Sequence, residues 1–435
     1  MAETATGGEQ SNGQVQQRFS LRRRPLWVDL GLTVGGSATA GFGAAVVFGV
    51  PASFSQPLAT VLAGAGALTA GVLAYINGER TRAITRDHHE ADTKRERERH
   101  QADADRERER HQEDSRRARE SDLRDRYATI AAQIAHDSAA IRQAGVYALT
   151  ALADDWHAYG EDEERQVCIN LLQWYLRVPI SPIADGQVDL SERAIRQTIV
   201  RILTERRRRG LGESKSWAAT AISLEHASLL ECNLDMLDGA ELDMSSADLT
   251  RARLNGANLT GADLTRAKLN GASLPRASLR GAFLSWADLA GARLRRADLT
   301  GALLTFSDLT NADLQYAYLE ETKMTDAKLT GARLKNAKLL GAYLMHANLR
   351  GSDLTGANLA RADLTRADLT RADLTGADLR GAVLGYAELA GATLIKAELS
   401  GADLTEADLA GADLTDAIHD PDTVWPFGFT APPSS

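Results

Sequence analysis

The residues that could carry chemistry in this sequence of 435 residues form no catalytic pattern. Its two cysteines, Cys168 and Cys232, are too few for a disulfide framework or for a zinc site built from cysteine pairs. Three histidines, His89, His100 and His111, recur every 11 residues, and on a helix this spacing separates neighbours by about 16 Å, too far for one metal ion. The sequence also lacks a phosphate-binding glycine loop and a Gly-x-Ser-x-Gly nucleophile motif. We therefore predict no enzyme activity, no cofactor and no metal site.

The composition indicates an unusual core. Hydrophobic residues make up 44% of the chain, but aromatic residues only 5%, and there are 36 glycines. Ordinary cores use aromatic rings as large fillers, so this core is expected to consist of leucine and small residues. The length suggests two to four domains. A formal net charge of −9 excludes a generally basic nucleic-acid-binding protein.

The sequence of the first 77 residues predicts a disordered tail followed by a transmembrane helical hairpin. Residues 1–24 are rich in Gly, Ser and Gln, so we expect a disordered tail. Two uncharged stretches follow, Leu30–Val50 with 21 residues and Leu58–Ile76 with 19, and each is long enough to cross the hydrocarbon core of a membrane as a helix. We assign the hairpin to residues 25–77. Arginines before the first stretch and after the second place both ends on the cytoplasmic side.

Two other interpretations of these apolar stretches are possible from the sequence. A cleavable signal peptide would need a single apolar stretch, whereas a second one and an arginine-rich flank follow here. Buried helices of a soluble domain are the other reading, because Gly and Ala make both stretches only mildly apolar.

Residues 78–126 are almost all charged or polar and predict a charged helical linker or stalk. Oppositely charged residues four apart, such as Lys94 and Glu98, support a helix. Apolar positions that could form a packed coiled-coil seam are missing. The segment is therefore expected to act as a spacer.

Apolar residues at helical spacing then predict a small all-α module over residues 127–211. The apolar, core-facing side of one helix is expected to hold Ile141, Val146, Leu149 and Leu152, and that of the next helix Val167, Leu171, Leu172 and Trp174. The helices are expected near Tyr127–Ala135, Ser138–Asp155, Glu163–Arg177 and Ser191–Arg209.

The second half of the sequence repeats every five residues. From Leu249 to Leu414 every fifth residue is Leu except Met324, a run of 34 positions, and the same phase extends back to Leu224 to give 39 pentads. A period of five fits a short extended piece followed by a turn, repeated many times. The residue two before each of these 34 positions is Ala, apart from Ser307, Thr322 and Ser352.

The pentad pattern predicts stacked coils. Residues two apart in an extended piece point the same way, so Ala and Leu face inward together and the residue between them faces out. No single pentad can bury its Leu, and successive coils must therefore stack. The outward aspartates, such as Asp363, Asp368, Asp373 and Asp378, then lie on successive sides and do not converge on one site.

The pattern A-(D/N)-L-x-x over Ile222–Asp416 resembles the pentapeptide-repeat family. The resemblance implies a right-handed quadrilateral β-helix with four pentads per coil, which we assign to residues 218–416. About ten coils would then span about 47 Å. With the segment Ala140–Trp156 before it, the chain also resembles a group of bacterial, mostly actinobacterial, membrane-anchored proteins of this family.

The expected fold is therefore mixed and multidomain: a two-helix transmembrane hairpin, a charged helical stalk, a small all-α module and the β-helix. The resemblance places the hairpin in a bacterial inner (plasma) membrane, with both termini cytoplasmic.

Two local features carry further predictions. Gly239 stands at a leucine position while Leu237 follows a shifted phase, which predicts a local bulge or loop. Residues 417–435 are assigned to a C-terminal cap and tail, because an open end of a β-helix needs covering. The residues expected to form this lid are Trp425, Pro426 and Phe427.

One side of the predicted β-helix holds most of its outward apolar residues, with polar gaps at the coils of Met324 and Leu364. With twenty residues per coil, positions twenty apart stack on one side. An apolar stripe of this kind is typical of an interaction surface and predicts self-association or binding of an unidentified protein partner. The alternative is that aromatic ladders stack there for stability alone. The residues of this candidate interaction face are Phe283, Trp286, Leu303, Phe306, Tyr343, Met345, Val383 and Tyr386.

Charge is zoned along the repeats, at −7 for residues 218–250, +6 for 251–340 and −6 for 341–416. Some pentapeptide-repeat proteins resemble B-DNA in shape and charge and bind DNA gyrase. This alternative function, a DNA-mimicking regulator of gyrase or topoisomerase, needs a continuous negative surface, which the basic middle zone interrupts. We favour a membrane-anchored, non-enzymatic scaffold that presents the β-helix in the cytoplasm for protein–protein interaction, with no nucleic-acid partner.

Overall fold

A computed structural model describes residues 55–180, 189–208 and 216–433. The predicted tail, residues 1–24, and the first predicted membrane span, Leu30–Val50, lie outside the described residues. The chain divides into two compact units, Met1–Arg110 and His111–Ser435. Before the repeats the chain forms helices α1 (Ser55–Ile134), α2 (Ala139–Tyr159), α3 (Asp162–Arg177) and α4 (Leu190–Arg208).

The described part of the first unit is the beginning of α1. The second predicted span, Leu58–Ile76, lies in this helix, and the predicted linker continues it without a break. Lys94 Nζ and Glu98 Oε1 lie 4.0 Å apart, as expected for an ion pair one turn apart. Among the helices that the structure describes, none combines the length and the apolar character needed to cross a membrane.

The helical module of the second unit has a compact apolar core. Val146, Leu149, Leu172 and Leu203 are completely buried in it. The end of α1 packs closely against α2 at Gly145. A Cβ added to Gly145 would lie only 2.9 Å from Ile134 Cγ1.

Three apolar residues of this module do not lie where the sequence suggested. Ile141, Val167 and Trp174 are 37%, 44% and 59% exposed, so the prediction that they face inward is wrong. Ile141 lies beside the buried stripe of α2, whereas Val167 and Trp174 lie on the face of α3 opposite its buried residues. The core-facing side of α3 is therefore a different one from the side that these apolar residues share.

The module covers the first coil of the repeats through directed polar contacts. Arg196 donates from one Nη atom to the carbonyl oxygens of Leu176 and Ser228, each at 2.9 Å. The buried Trp217 donates from Nε1 to Asp154 Oδ1 at 3.1 Å. The contact of Arg196 with Ser228 pairs a carbonyl that the open end of a β-helix would otherwise leave unsatisfied.

The repeats form a four-sided β-helix. Parallel bridges join residues twenty apart, from the pair Ser223 and Asp243 onward, and a bridge occurs every fifth residue. The predicted pentapeptide β-helix preceded by a helical part is therefore confirmed. Four bridges per twenty residues mean that each side of a coil holds one pentad. Hydrogen bonds join neighbouring coils: the Leu284 N–H, for example, donates to the Leu303 carbonyl of the next coil at 2.7 Å.

Alanine and leucine fill the interior, as predicted. Nearly all of the inward residues are completely buried. Ser307 and Thr322 replace inward alanines, and their hydroxyls donate to the carbonyls of Leu304 and Leu299. The buried hydroxyl of Ser352 has no hydrogen-bond partner.

The phase fault at Gly239 produces no bulge, so that prediction is wrong. Asp238 pairs with Asn258 in the regular register, and the Gly239 N–H donates to the Asn258 carbonyl at 2.8 Å. Leu237, at the position usually held by alanine, is 8% exposed and fills the space that a leucine at 239 would use. A Cβ on Gly239 would lie 3.1 Å from Leu259 Cδ2, so a larger residue would require the Leu259 side chain to shift.

One extra residue enters the last coil. Val424 pairs with Asp403, a spacing of 21 residues where every earlier bridge spans 20. Thr423 takes the inward position and its hydroxyl donates to the Leu399 carbonyl at 2.9 Å.

The C-terminal lid uses a different ring from the one predicted. Trp425 and Phe429 stack with centroids 5.4 Å apart and pack against the core, whereas Phe427 is fully exposed. The prediction that Phe427 belongs to the lid is wrong because the chain turns there. The Phe429 N–H donates to the Pro426 carbonyl at 3.0 Å, and Gly428 has a φ of 77°.

Candidate interaction face of the β-helix

Each pentad presents three outward residues in a fixed arrangement. The residue before the inward Leu forms the bridge, and two turn residues follow the Leu. In the pentad of Leu284 these are Phe283, Ser285 and Trp286, and the turn closes through the Ala287 N–H and the Leu284 carbonyl at 3.0 Å. We call the side that contains this pentad side A. Its three rows of residues twenty apart are the bridge column, the middle column and the corner column.

The predicted interaction residues all lie on side A. Six of the eight are exposed by 39% to 57%, and the two others, Leu303 and Met345, are half-buried. The residues in the bridge column are Phe283, Leu303, Tyr343 and Val383, while Met345 lies in the middle column and Trp286, Phe306 and Tyr386 lie in the corner column.

The structure brings four of these residues together into one apolar cluster. Phe283 and Leu303 are bridge partners in neighbouring coils. Trp286 and Phe306 stack in the corner column of the same two coils, with centroids 4.3 Å apart and ring planes 18° apart. The coil of Lys323 then interrupts the apolar surface, so the predicted stripe is one cluster of four residues and two smaller groups.

The corner column of side A has a backbone property that the sequence analysis missed. The second turn residue of each pentad has a φ of 55° to 68°, a range that favours glycine. Fifteen corner glycines use it, and all of them lie at the other three corners. The ten successive residues of the side A column are instead His226, Ser246, Arg266, Trp286, Phe306, Asp326, His346, Arg366, Tyr386 and Glu406.

This absence of glycine is informative because L residues in the left-handed region are strained. Each costs about 1–2 kcal/mol relative to an unstrained conformation. Side A therefore keeps a side chain at every corner position at the expense of stability. The signal was present in the sequence as a row without glycine at every twentieth position.

The other sides carry different surfaces. Exposed rings occur there singly, as with Tyr316 and Tyr318 at 39% and 40% exposure. We call the side that contains Leu294 side C; it lies two sides away from side A within each coil. It carries a group of exposed arginines that form no salt bridge within the described residues, namely Arg276, Arg293, Arg295 and Arg296.

The helical module contains a cavity of about 560 Å³, in which the polar side chains of Arg142, Tyr175 and Glu192 are bonded to one another. The Tyr175 hydroxyl donates to Glu192 Oε2 at 2.8 Å and accepts from Arg142 Nε at 3.1 Å. Burial and the neighbouring Glu192 raise the pKa of Tyr175 to about 12, so the phenol stays protonated. Among the described residues no group of His, Cys, Asp and Glu could hold a metal ion.

Comparisons with known proteins agree with the repeat geometry. The family model of pentapeptide repeats matches eight copies in this chain, over residues 243–281, 257–296, 267–305, 302–341, 342–381 and 382–418. The comparison with curated proteins found no match.

Proteins of known structure that are similar to this chain include two from a cyanobacterium and one resistance protein. HetL, a pentapeptide repeat protein involved in heterocyst differentiation regulation from the cyanobacterium Nostoc sp. strain PCC 7120, is 35% identical over 48% of this chain and 95% of HetL, with a TM-score of 0.37. Another pentapeptide repeat protein from Nostoc PCC 7120 is 41% identical over 21% of this chain and 77% of its own, with a TM-score of 0.21. QnrB1, a plasmid-mediated fluoroquinolone resistance protein, is 19% identical over 44% of this chain and 92% of its own, with a TM-score of 0.30.

Membership of a protein family is shown by the matched repeats and by the sequence identity to HetL. The identity to HetL extends over almost all of that protein. The bridges twenty residues apart and the inward Ala and Leu provide the matching geometry. The chain therefore belongs to the pentapeptide-repeat family.

Proposed function

We propose that this protein is a non-enzymatic scaffold that binds proteins through side A of its β-helix. The observation that carries the proposal is the stacked pair of Trp286 and Phe306, which are 57% and 43% exposed. Large rings at this exposure, clustered with Phe283 and Leu303, form the kind of patch that protein interfaces use.

The strained backbone of the side A corner column also supports a binding role for side A. Trp286 has a φ of 64° and Phe306 a φ of 61°. A chain selected only for stability would place glycine at these positions, as it does at Gly281, Gly291 and Gly301 on the neighbouring corners. Fourteen residues other than glycine hold the same conformation at the other three corners, so the support comes from the complete absence of glycine in the side A column.

The second part of the proposal is that the scaffold is anchored in a bacterial inner membrane with both termini in the cytoplasm. Its support is in the sequence: two uncharged stretches, Leu30–Val50 and Leu58–Ile76, flanked by arginines on their outer ends. The charged residues 78–126 lie between these stretches and the rest of the chain in the sequence.

The side C arginines weigh against a DNA-mimicking function. Arg293, Arg295 and Arg296 lie within four residues of one another on an exposed surface. A DNA mimic needs continuous negative charge to compete for a basic groove. A protein-binding scaffold has no such requirement, and different sides of it can differ in charge.

Affinity purification of the full chain from cells tests the scaffold. The variant W286D/F306D places two charges in the apolar cluster, and we expect the proteins that copurify with the natural chain to be lost. The matched control is Y316D/Y318D, which makes the same chemical change at two exposed rings on other sides and should keep them. If both variants retain the same bound proteins, side A is not the binding surface.

A further inference from the structure

A second copy of this chain is the occupant that fits side A. We propose that two β-helices pack in parallel, side A against side A, with a two-fold axis along the middle column. This inference rests on the proposed role of side A as the binding surface.

The two-fold axis makes a specific demand on the sequence. In a parallel pair it places the bridge column of one copy opposite the corner column of the other copy, at the same coil. Each bridge residue must therefore complement the corner residue three positions later in its own pentad. This rule can be checked coil by coil.

The charged coils of side A obey the rule. Their bridge and corner residues have opposite charges: Asp263 and Arg266, Lys323 and Asp326, and Asp363 and Arg366. Within the described part of the chain, none of these six residues forms a salt bridge. Thr265 and Thr365 donate hydrogen bonds to Asp263 and Asp363, and the Arg366 guanidinium lies over the Tyr386 ring. None of the six charges is neutralised by a salt bridge within the described residues, so each coil would contribute two symmetric pairs across the axis.

The apolar coils obey the rule as well. Their pairs are Phe283 with Trp286, Leu303 with Phe306, and Val383 with Tyr386. Tyr343 and His346 form a further ring pair, so seven successive coils are complementary. The pattern ends at the next coil, where the bridge and corner residues are both acidic. The corner positions need side chains in this arrangement, which explains why glycine is absent from them.

The middle column permits close approach along the axis. In the seven coils it consists of small residues with the exception of Met345, as Ser285, Thr325 and Gly385 illustrate. Side C does not follow the rule, because its bridge residue Arg293 and corner residue Arg296 carry the same charge.

An antiparallel pair fits less of the surface. With its axis between the coils of Leu284 and Leu304, Asp263 would face Lys323, but in the next coil Asp243 would face Tyr343. Complementarity would end after four coils. A parallel pair also starts both β-helices at the same end, as two chains anchored in one membrane require.

Charge reversal and rescue test this arrangement in the detergent-solubilised full chain. The variants are K323D, K323D/D326K and K323D/D263K, and the readout is the mass distribution by sedimentation velocity over a range of concentrations. We expect a dimer for the natural chain and a dissociation constant at least about tenfold higher for K323D. Adding D326K should restore the dimer, because position 323 faces position 326 of the other copy, whereas adding D263K should not.

The outcomes separate the alternatives. Rescue by D263K and not by D326K would show an antiparallel pair and overturn the proposal. A natural chain that stays monomeric at all concentrations would overturn it as well. If that monomer still loses its bound proteins in the W286D/F306D variant, the scaffold function stands and only the second copy as occupant is wrong. Unchanged circular dichroism of the exposed-residue variants excludes misfolding as the cause.

Discussion

Trp286 and Phe306 stack with ring centroids 4.3 Å apart while both hold a backbone conformation that favours glycine. The stack stabilises the surface by about 0.5–1.5 kcal/mol, and the two strained positions together cost more than that. The pair therefore gives no net gain in stability. We propose that binding explains its presence on an exposed surface.

The variant W286G/F306G separates stability from binding. We expect its free energy of unfolding in denaturant to stay within about 1 kcal/mol of the natural value or to rise, because two strained positions are relieved and one stack is lost. The protein complex measured by light scattering should be lost. On a neighbouring corner, G301F should lower the free energy of unfolding by about 1–2 kcal/mol. A loss of more than about 2 kcal/mol in the double variant would favour a purely structural role for the rings.

The serines in the core predict opposite effects of the same substitution. The Ser352 hydroxyl is buried without a partner, so S352A should raise the free energy of unfolding by about 1 kcal/mol. The Ser307 hydroxyl donates to the Leu304 carbonyl at 2.7 Å, so S307A should lower it by a similar amount. Equal effects of the two substitutions in urea unfolding would contradict this account of the core.

The aspartates of the β-helix predict a loss of stability in acid. The side-chain hydrogen bond from Arg380 lowers the pKa of Asp378 in the folded protein. For Asp243, burial raises the pKa, but hydrogen bonds from Ser245 and Ser223 outweigh it and the net shift is downward. A lowered folded-state pKa contributes stability above the unfolded value of about 3.9, and this contribution is lost as the pH falls through the folded value.

Thermal unfolding between about pH 5 and 2 checks this prediction. The natural protein should lose stability below about pH 4, and D378N should show a shallower loss because it lacks the titrating group. A D378N curve parallel to the natural one would mean that Asp378 contributes nothing to the acid response.

Membrane topology is testable independently of side A. A reporter enzyme fused after the C-terminus should be active only in its cytoplasmic form, and the protein should stay with the membrane fraction after a high-salt wash. Deleting residues 25–77 should release the chain into the soluble fraction. An extracytoplasmic reporter signal would reverse the orientation that the flanking arginines predict.

The sequence specified the β-helix well because its signal is local and repeated. Each Leu of the run from Leu249 to Leu404 is almost completely buried, so one pentad predicts the rest. Gly239 was predicted wrongly because Leu237 compensates for it across two positions, which a position-by-position reading does not detect.

Features that depend on packing between distant segments were harder to predict. The sequence does not show that Trp174 lies outside the module core or that Phe429 takes the place of Phe427 in the lid, because both depend on where the chain turns. The corner column of side A was readable in principle. Its signal is an absence of glycine, which becomes meaningful only once the positive φ at that position is known.

The central claim is that side A is covered by protein in the cell. Labelling of single introduced cysteines by a membrane-permeant maleimide tests it directly, with T325C in the middle column of side A and T375C at the equivalent turn position of side C. Both threonines are half-buried in the isolated chain. Cys168 and Cys232 are buried, and burial raises the pKa of each thiol to about 12, so they will label slowly.

We predict that T375C is labelled rapidly in intact cells while T325C is protected, and that W286D/F306D removes the protection. Equal labelling of T325C and T375C in the otherwise natural chain would contradict the claim that side A is a binding surface.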